Sequence, residues 1–242
     1  MMDVRGLLAE GLETLGLKVD ETAQGRILRH LALVSTWNEQ VNLTAVTDPQ
    51  EMIWKHAVDS ATLLEAVQPA HGASLIDVGT GAGFPGVVAK ALRPDLQLAL
   101  LESLQKRCRF LEAVGEELFP ADPGYQVIWS RAEDGGQNPS HRERYDLVTA
   151  RAVADLRVLA EYCLPFAKVG GQFVALKGPT GDAEVEAAAR AIQTLGGRVT
   201  DLRRLSLPGG AGERVLITIK KERHTPKAYP RKAGTPAKKP LE

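Results

Sequence analysis

The chain has 242 residues, with 30 basic and 30 acidic side chains, so its formal net charge is zero and no global field draws in a polyanion. That length suits one large α/β domain with a modest appendage. The two cysteines lack a second thiol or a histidine at ligand spacing, no run of about eighteen apolar residues is present, and no signal peptide is visible, which excludes a disulfide framework, a zinc site and a membrane span and leaves a cytoplasmic protein without metal as the expectation.

The first third reads as helices. Leu8, Leu12 and Leu15 mark one apolar stripe, and Ile27, Leu31, Val34 and Trp37 mark a second at helical spacing. Asp48, Pro49 and Glu51 then form a helix start that predicts a continuous helix to about Val67. Residues 1–72 are therefore expected to form an N-terminal helical extension. From Ser74 the rhythm changes to short apolar runs alternating with helical patterns, the mark of parallel βαβ units. Strands are expected at residues 74–78, 96–101, 125–129, 145–150 and 172–177, followed by 198–207 and 214–221 joined by the turn "PGGAGE". That last pair is a hairpin, so a mostly parallel sheet ends in a reversed strand and the α/β domain spans residues 73–221. From residue 220 onward eight Lys/Arg face two Glu, with four prolines interspersed. Residues 222–242 are expected to be a disordered basic tail, either solubilising or seeking phosphates.

The stretch "SLIDVGTGAGFPG" (residues 74–86) runs a strand into a glycine turn, which lets a ligand approach the backbone and aims free N–H groups at it. Gly79, Gly81 and Gly83 fit the spacing of S-adenosylmethionine enzymes, whereas Gly81, Gly83 and Gly86 fit a dinucleotide fingerprint. Asp77 favours the first frame, because a carboxylate suits the cationic end of a methionine-type ligand and repels nucleotide phosphates. The terminal hairpin, foreign to dinucleotide domains, favours it too. Glu102, closing the second strand, suits the ribose hydroxyls of either cofactor. Gly86 is then left to helix packing, and Phe84 is a candidate wall of the methionine pocket. Ligands of open α/β sheets bind at the strand carboxyl ends, which brings in "SRAED" and "TARAVADL". There Ala132 can admit an adenine ring, Glu133 or Asp134 can accept from its amine, and Arg131 can serve a phosphate or a carboxylate. Arg151 needs an anionic partner after its apolar strand. His56 and Asp59 share a helix face, from which they can touch the cofactor pocket or pin that helix to the sheet, the second being the favoured expectation.

On "WNEQVNLTAV" (37–46), "DPQEMIWKHAVDS" (48–60), "IDVGTGAGFPG", "LLESLQKRCRFL", "SRAE", "TARAVADL" and "FVALKG", the chain resembles the bacterial small-subunit ribosomal RNA guanine-N7 methyltransferases, the glucose-inhibited division protein B family. The resemblance implies a Rossmann-like class I S-adenosylmethionine-dependent methyltransferase fold, α/β, with a seven-stranded, mostly parallel sheet behind the helical extension. It implies S-adenosylmethionine as cofactor, held at Gly79, Phe84, Ala132, Glu133 and Arg151, with Glu102, Ser103 and Leu104 around the ribose. Asp77, Gly81 and Gly83 complete that set from the loop itself. Arg131, Arg151 and Lys177 are implied near the target nucleotide, a guanosine in a decoding-region loop of 16S rRNA in the small ribosomal subunit. The enzyme is expected to be a monomer.

The chemistry agrees with the residues. Guanine N7 offers an in-plane lone pair and carries no proton, so methyl transfer needs neither a general base nor a nucleophile, and no residue is assigned a catalytic role. Cys108 and Cys163 sit in helical patterns, and "TARA" stands where amine methyltransferases carry an "NPPY"-like loop. Three rivals remain: a small-molecule methyltransferase, a nonenzymatic RNA-binding assembly protein, and a nicotinamide oxidoreductase disfavoured by Asp77. Lys106, Arg107, Arg109 and the tail lean toward RNA. Removing residues 222–242 is expected to weaken RNA binding and spare cofactor affinity.

Overall fold

A computed structural model describes residues 3–151 and 154–242, so Ala152 and Val153 of "TARAVADL" lie outside the described residues. The chain opens with α1 (Val4–Thr14), whose Asp3 cap accepts from the Arg5 amide, and α2 (Glu21–Val41), whose Asp20 cap accepts from the Ala23 amide. α2 stops at Asn42 in the left-handed region (φ 52°). The helix expected from Asp48 onward starts as predicted, with α3 (Pro49–Met52), but it is not uniform. A π-helical segment, Ile53–Val58, interrupts it before α4 (Asp59–Ala66). Within this wide stretch and the residue after it, His56 and Asp59 are both buried.

Seven strands then form one sheet: β1 (Ser74–Val78), β2 (Gln97–Glu102), β3 (Tyr125–Trp129), β4 (Tyr145–Arg151), β5 (Ala167–Lys177), β6 (Gly197–Leu207) and β7 (Gly212–Lys221). Their order is β3-β2-β1-β4-β5-β7-β6, with every pairing parallel except those of β7, which runs antiparallel to both neighbours. The crossovers are α5 (Gly86–Leu92), α6 (Gln105–Leu118), α7 (Ala132–Gln137), α8 (Leu156–Cys163) and α9 (Ala183–Thr194). Helices cover both faces, which is why β1 and β2 read as apolar runs, interrupted in β1 only by Asp77. One face packs Leu75 and Leu100 against Leu8, Ile27, Val34 and Phe110, so the leading helices share a core with the sheet. The other face packs Phe173 and Ile219 against Leu159, Phe166 and Ile192. β5 begins five residues before the expected Gln172, beyond a register shift against β4 and Gly170 at φ 91°.

The free tail expected beyond residue 221 is corrected. Lys221 is fully buried and donates to the Leu164 carbonyl (2.6 Å) and the Thr225 hydroxyl (2.8 Å). Arg231 donates to both oxygens of the buried Glu161, and a last short helix, α10 (Thr235–Lys238), follows Gly234. Counted by composition these charges look solvated. Leu164 and Glu161 lie 57 and 70 residues before the charges they hold, where composition cannot reveal them.

Candidate functional site

The glycine loop leaves β1 at its carboxyl end, where the amides of Gly79 and Thr80 both donate to the Leu101 carbonyl of β2 (2.9 and 3.2 Å). Gly79, Gly81 and Gly83 all have positive φ (71°, 61° and 88°), a region side chains resist. They differ in surroundings. A Cβ on Gly79 or Gly81 would meet nothing within 4 Å, whereas one on Gly83 would lie 2.6 Å from Val87 Cγ2. Gly86 is a packing glycine as expected: a Cβ there would lie 2.7 Å from Leu100 Cδ2.

Two carboxylates shape this loop from within. Asp77 Oδ2 accepts from the Thr80 hydroxyl (2.6 Å) and the Gly86 amide (2.9 Å), tying β1 to the head of α5. Asp77 is fully buried, and burial pushes its carboxyl up to about 6. Its Oδ1 has no hydrogen-bond partner among the described residues. Glu102 Oε1 accepts from the amides of Ser103 (2.7 Å) and Leu104 (2.9 Å), while Oε2 accepts from the Gly81 amide (3.1 Å). That carboxylate therefore locks the first loop to the second.

Beside them lies a cavity of ~270 Å³ lined by Val78, Gly79, Leu101, Ser103, Ser130, Arg131, Ala132, Glu133, Leu159, Tyr162, Gly234 and Ala237. Five expected residues thus meet there: Gly79, Ser103, Arg131, Ala132 and Glu133. Of these, Glu133 is buried and Arg131 is exposed. Leu104, 53% exposed, presents bare apolar surface next to Ser103. The expected residues outside the lining have other positions. Asp77 and Glu102 brace the loop, Gly81 caps Glu102, and Gly83 packs on Val87.

Phe84, Arg151, His56 and Asp59 form a second cluster at the other end of the loop. The buried Phe84 ring stacks on His56 (4.8 Å between centroids) and tilts against His30 (4.7 Å). The Arg151 guanidinium lies 5.0 Å from its centroid. Arg151 also donates to the Lys55 carbonyl (3.2 Å) and to Asp59 Oδ2 (3.3 Å), which supplies the anionic partner it needed. Asp59 Oδ1 accepts from Arg214 Nε (2.8 Å), so one carboxylate joins α4, β4 and β7 and pins helix to sheet. Burial pulls both His30 and His56 down to about 4, leaving neutral imidazoles at neutral pH. Lys177, 8% exposed, donates to the Ala154 carbonyl (2.6 Å) and pairs with Glu184 (3.0 Å), so its ammonium is spent on holding the loop after β4. Burial raises the Cys108 thiol to about 11 and the Cys163 thiol well above its ordinary value, so neither forms a thiolate nucleophile.

Sequence reasoning missed Leu159 and Tyr162 of α8, Gly234 and Ala237 of the tail, and the supports His30 and Arg214. An i, i+3 pair on an apolar helix carries no mark of its own, and a glycine in a charged tail reads as linker.

The fold has known counterparts among solved structures. The chain is similar in fold to precorrin-6Y C5,15-methyltransferase from Geobacter metallireducens GS-15 (TM-score 0.51, 14% identity, 67% of this chain and 86% of that one). It is similar also to geranyl diphosphate C-methyltransferase from Streptomyces coelicolor A3(2), solved with Mg2+, geranyl diphosphate and S-adenosyl-L-homocysteine (TM-score 0.51, 16% identity, 67% and 78%). At these identities the likeness concerns the fold. In sequence, it is 61% identical over 240 residues to ribosomal RNA small subunit methyltransferase G of Symbiobacterium thermophilum, covering 98% of each chain. The family profile described as rRNA small subunit methyltransferase G matches residues 24–212, a span that holds the glycine loop, both carboxylate braces and the Phe84–Arg151 cluster. On that match and that identity, the chain belongs to the rRNA small subunit methyltransferase G family.

Proposed function

We propose that this protein transfers the methyl group of S-adenosylmethionine to N7 of a guanosine in a decoding-region loop of 16S rRNA. The observation that carries this reading is the convergence of Gly79, Ser103, Ala132 and Glu133 on one cavity at the carboxyl ends of β1, β2 and β3, in a chain of this family. The residues suit the cofactor. Positive-φ glycines with open space around them admit a ligand against the backbone, Glu102 Oε2, partnered by the Gly81 amide and by Arg107 at 3.7 Å, keeps lone-pair capacity for a ribose hydroxyl, and Leu104 offers an apolar face. When bound, S-adenosylmethionine supplies an electrophilic methyl on sulfur.

The chain's own part is alignment. N7 has no proton to remove, so no base is required, and with both thiols held protonated no covalent route competes. Proximity and orientation of this kind can contribute about 7–11 kcal/mol. Arg151, held by Asp59 and the Phe84 face, sits as a fixed cation beside the loop, suited to a phosphate of the target nucleotide. Arg131 at the cavity rim, with exposed Lys106 and Arg109, suits the flanking backbone. Lys177 is assigned to loop support. On this reading the protein is a monomer that acts on the small ribosomal subunit in the cytoplasm.

The test is to incubate the protein with methyl-labelled S-adenosylmethionine and small ribosomal subunits from a strain lacking the gene, then map label by cleavage at 7-methylguanosine. Label at one guanosine of 16S rRNA is expected. Label confined to another position of the base, or absent from rRNA, would overturn the reading.

A further inference from the structure

One wall of the cavity belongs to neither the glycine loop nor a strand end. Gly234 and Ala237 come from the last stretch of the chain, and the Gly234 amide donates to Glu133 Oε1 at 2.7 Å. We propose that residues 225–239 form a fixed strap that completes the adenine end of the cofactor cavity. Gly234 acts as a positioning residue: it holds the Glu133 carboxylate so that the other oxygen accepts the exocyclic amine of adenine, while Ala237 walls the ring. The inference rests on the reading of the cavity as the S-adenosylmethionine site.

The strap is anchored by three carboxylates from three different parts of the domain. Glu143 accepts from the Thr225 amide (2.7 Å) and pairs with Lys221 (3.2 Å). Glu161, fully buried on α8, accepts from the Arg231 amide (2.7 Å), from Arg231 Nε (3.0 Å) and from Arg231 Nη2 (2.7 Å). Glu133 takes Gly234. A buried carboxylate without donors is costly, so these acids and the strap's donors stabilise one another. Elsewhere the domain donates and the strap accepts. Arg142 reaches the carbonyls of Thr225 (2.7 Å) and Tyr229 (2.8 Å), and Gln137 reaches that of Pro230 (2.8 Å). A segment held from both sides in this way has one placement.

Gly234 itself has φ 80°, where a side chain is strained, so glycine is what lets the chain turn its amide onto Glu133. A carboxylate has about four lone-pair sites, and a buried Glu133 with one oxygen engaged keeps the second for a donor. Adenine presents such a donor at its exocyclic position, where an oxo-purine presents a carbonyl acceptor that meets the carboxylate lone pair to lone pair. A site built around a buried acceptor discriminates against the analogue that leaves it unpaired. The expectation that removing the tail spares cofactor affinity is therefore reversed.

The experiment compares the full chain, a chain ending at Ala233, and Ala237→Phe at an exposed position. Each is titrated by calorimetry with S-adenosylhomocysteine and with S-inosylhomocysteine, which carries an oxo group in place of the amine. Truncation is expected to weaken S-adenosylhomocysteine about tenfold or more and the inosine analogue, which loses only the wall, by several-fold less, so that discrimination shrinks; the KM for S-adenosylmethionine rises while kcat holds. Ala237→Phe is expected to weaken both ligands about fivefold or more at unchanged Tm. Unchanged affinity in the truncated chain, or tighter binding, overturns the strap, and if that chain fails to fold, unchanged affinity in Ala237→Phe does the same. A full chain that binds neither ligand instead removes the cavity assignment on which the strap depends.

Discussion

Gly79→Ala and Gly83→Ala place the same methyl group four residues apart, at similar φ, in opposite surroundings. Each incurs the left-handed strain of a side chain, about 1–2 kcal/mol. For Gly79 that is the whole cost, because a Cβ there meets nothing within 4 Å. For Gly83 the Cβ would lie 2.6 Å from Val87 Cγ2 and 3.2 Å from both His30 Nε2 and Leu111 Cδ2, all in a close-packed core. Overpacking of that kind adds about 1–3 kcal/mol. At about 2–4 °C per kcal/mol for a chain of this size, Gly83→Ala should lower the Tm by about 10 °C and Gly79→Ala by about half as much. Binding should rank the other way. The Gly79 methyl projects into the cavity that Gly79 lines, so S-adenosylhomocysteine should bind Gly79→Ala at least about tenfold more weakly, a larger loss than in Gly83→Ala. Thermal melts and calorimetric titration of both variants decide the matter. Equal Tm losses, or an unaltered Kd in Gly79→Ala, would refute the division of the loop into a ligand-facing and a core-facing glycine.

Three further outcomes are expected. Asp59→Ala strips the shared carboxylate from Arg151 and Arg214 and should destabilise by about 3–5 kcal/mol in urea titration; a loss below about 1 kcal/mol would mean that solvent already satisfies the two cations. Stability should fall between pH 6.5 and 4, because the unfolded chain takes up protons that the folded His30 and His56, each held down to about 4, refuse. This stabilisation is complete above 6.5 and is lost as pH falls; at His30 it amounts to about 3 kcal/mol. Asp77, raised to about 6, has the opposite sign, favouring the folded state at low pH and losing that contribution as pH rises through 6, so two groups oppose one. A urea midpoint higher at pH 5 than at pH 7 contradicts the assignment. Arg131→Ala should weaken rRNA binding with a salt slope shallower by about one and leave S-adenosylhomocysteine affinity within about twofold, read by filter binding across salt; an unchanged slope removes Arg131 from the RNA face.

The strands were legible because a parallel sheet covered on both faces writes itself as apolar runs, and the "PGGAGE" turn announced the reversed β7. The early start of β5 was hidden because "KVGG" carries two glycines and needs its neighbour β4 to be extended. Nothing in "IWKHAV" marks a π-helical segment. At the site, residue types were informative and allocations were not. Asp77 and Glu102 stood out as acids beside glycines, yet which amides they hold depends on how β1 and β2 lie together. The tail was misread for a related reason. Charge and proline content describe a segment in water, and Arg231 and Lys221 are not in water but on Glu161 and Glu143.

The position of β7 has a consequence for biosynthesis. Sheet order and chain order part company here, since the penultimate position in space, between β5 and β6, is filled by the last strand to be made. Until residues 212–221 are available, β5 ends the sheet as an open edge carrying Phe173, Val174 and Ala175, and β6 has nothing to pair with. Such edges invite association with other chains. A chain ending before residue 212 lacks both the strand that closes the sheet and the segment that lines the cavity. Closure of the sheet thus waits on β7, which must insert between two strands that precede it in the chain.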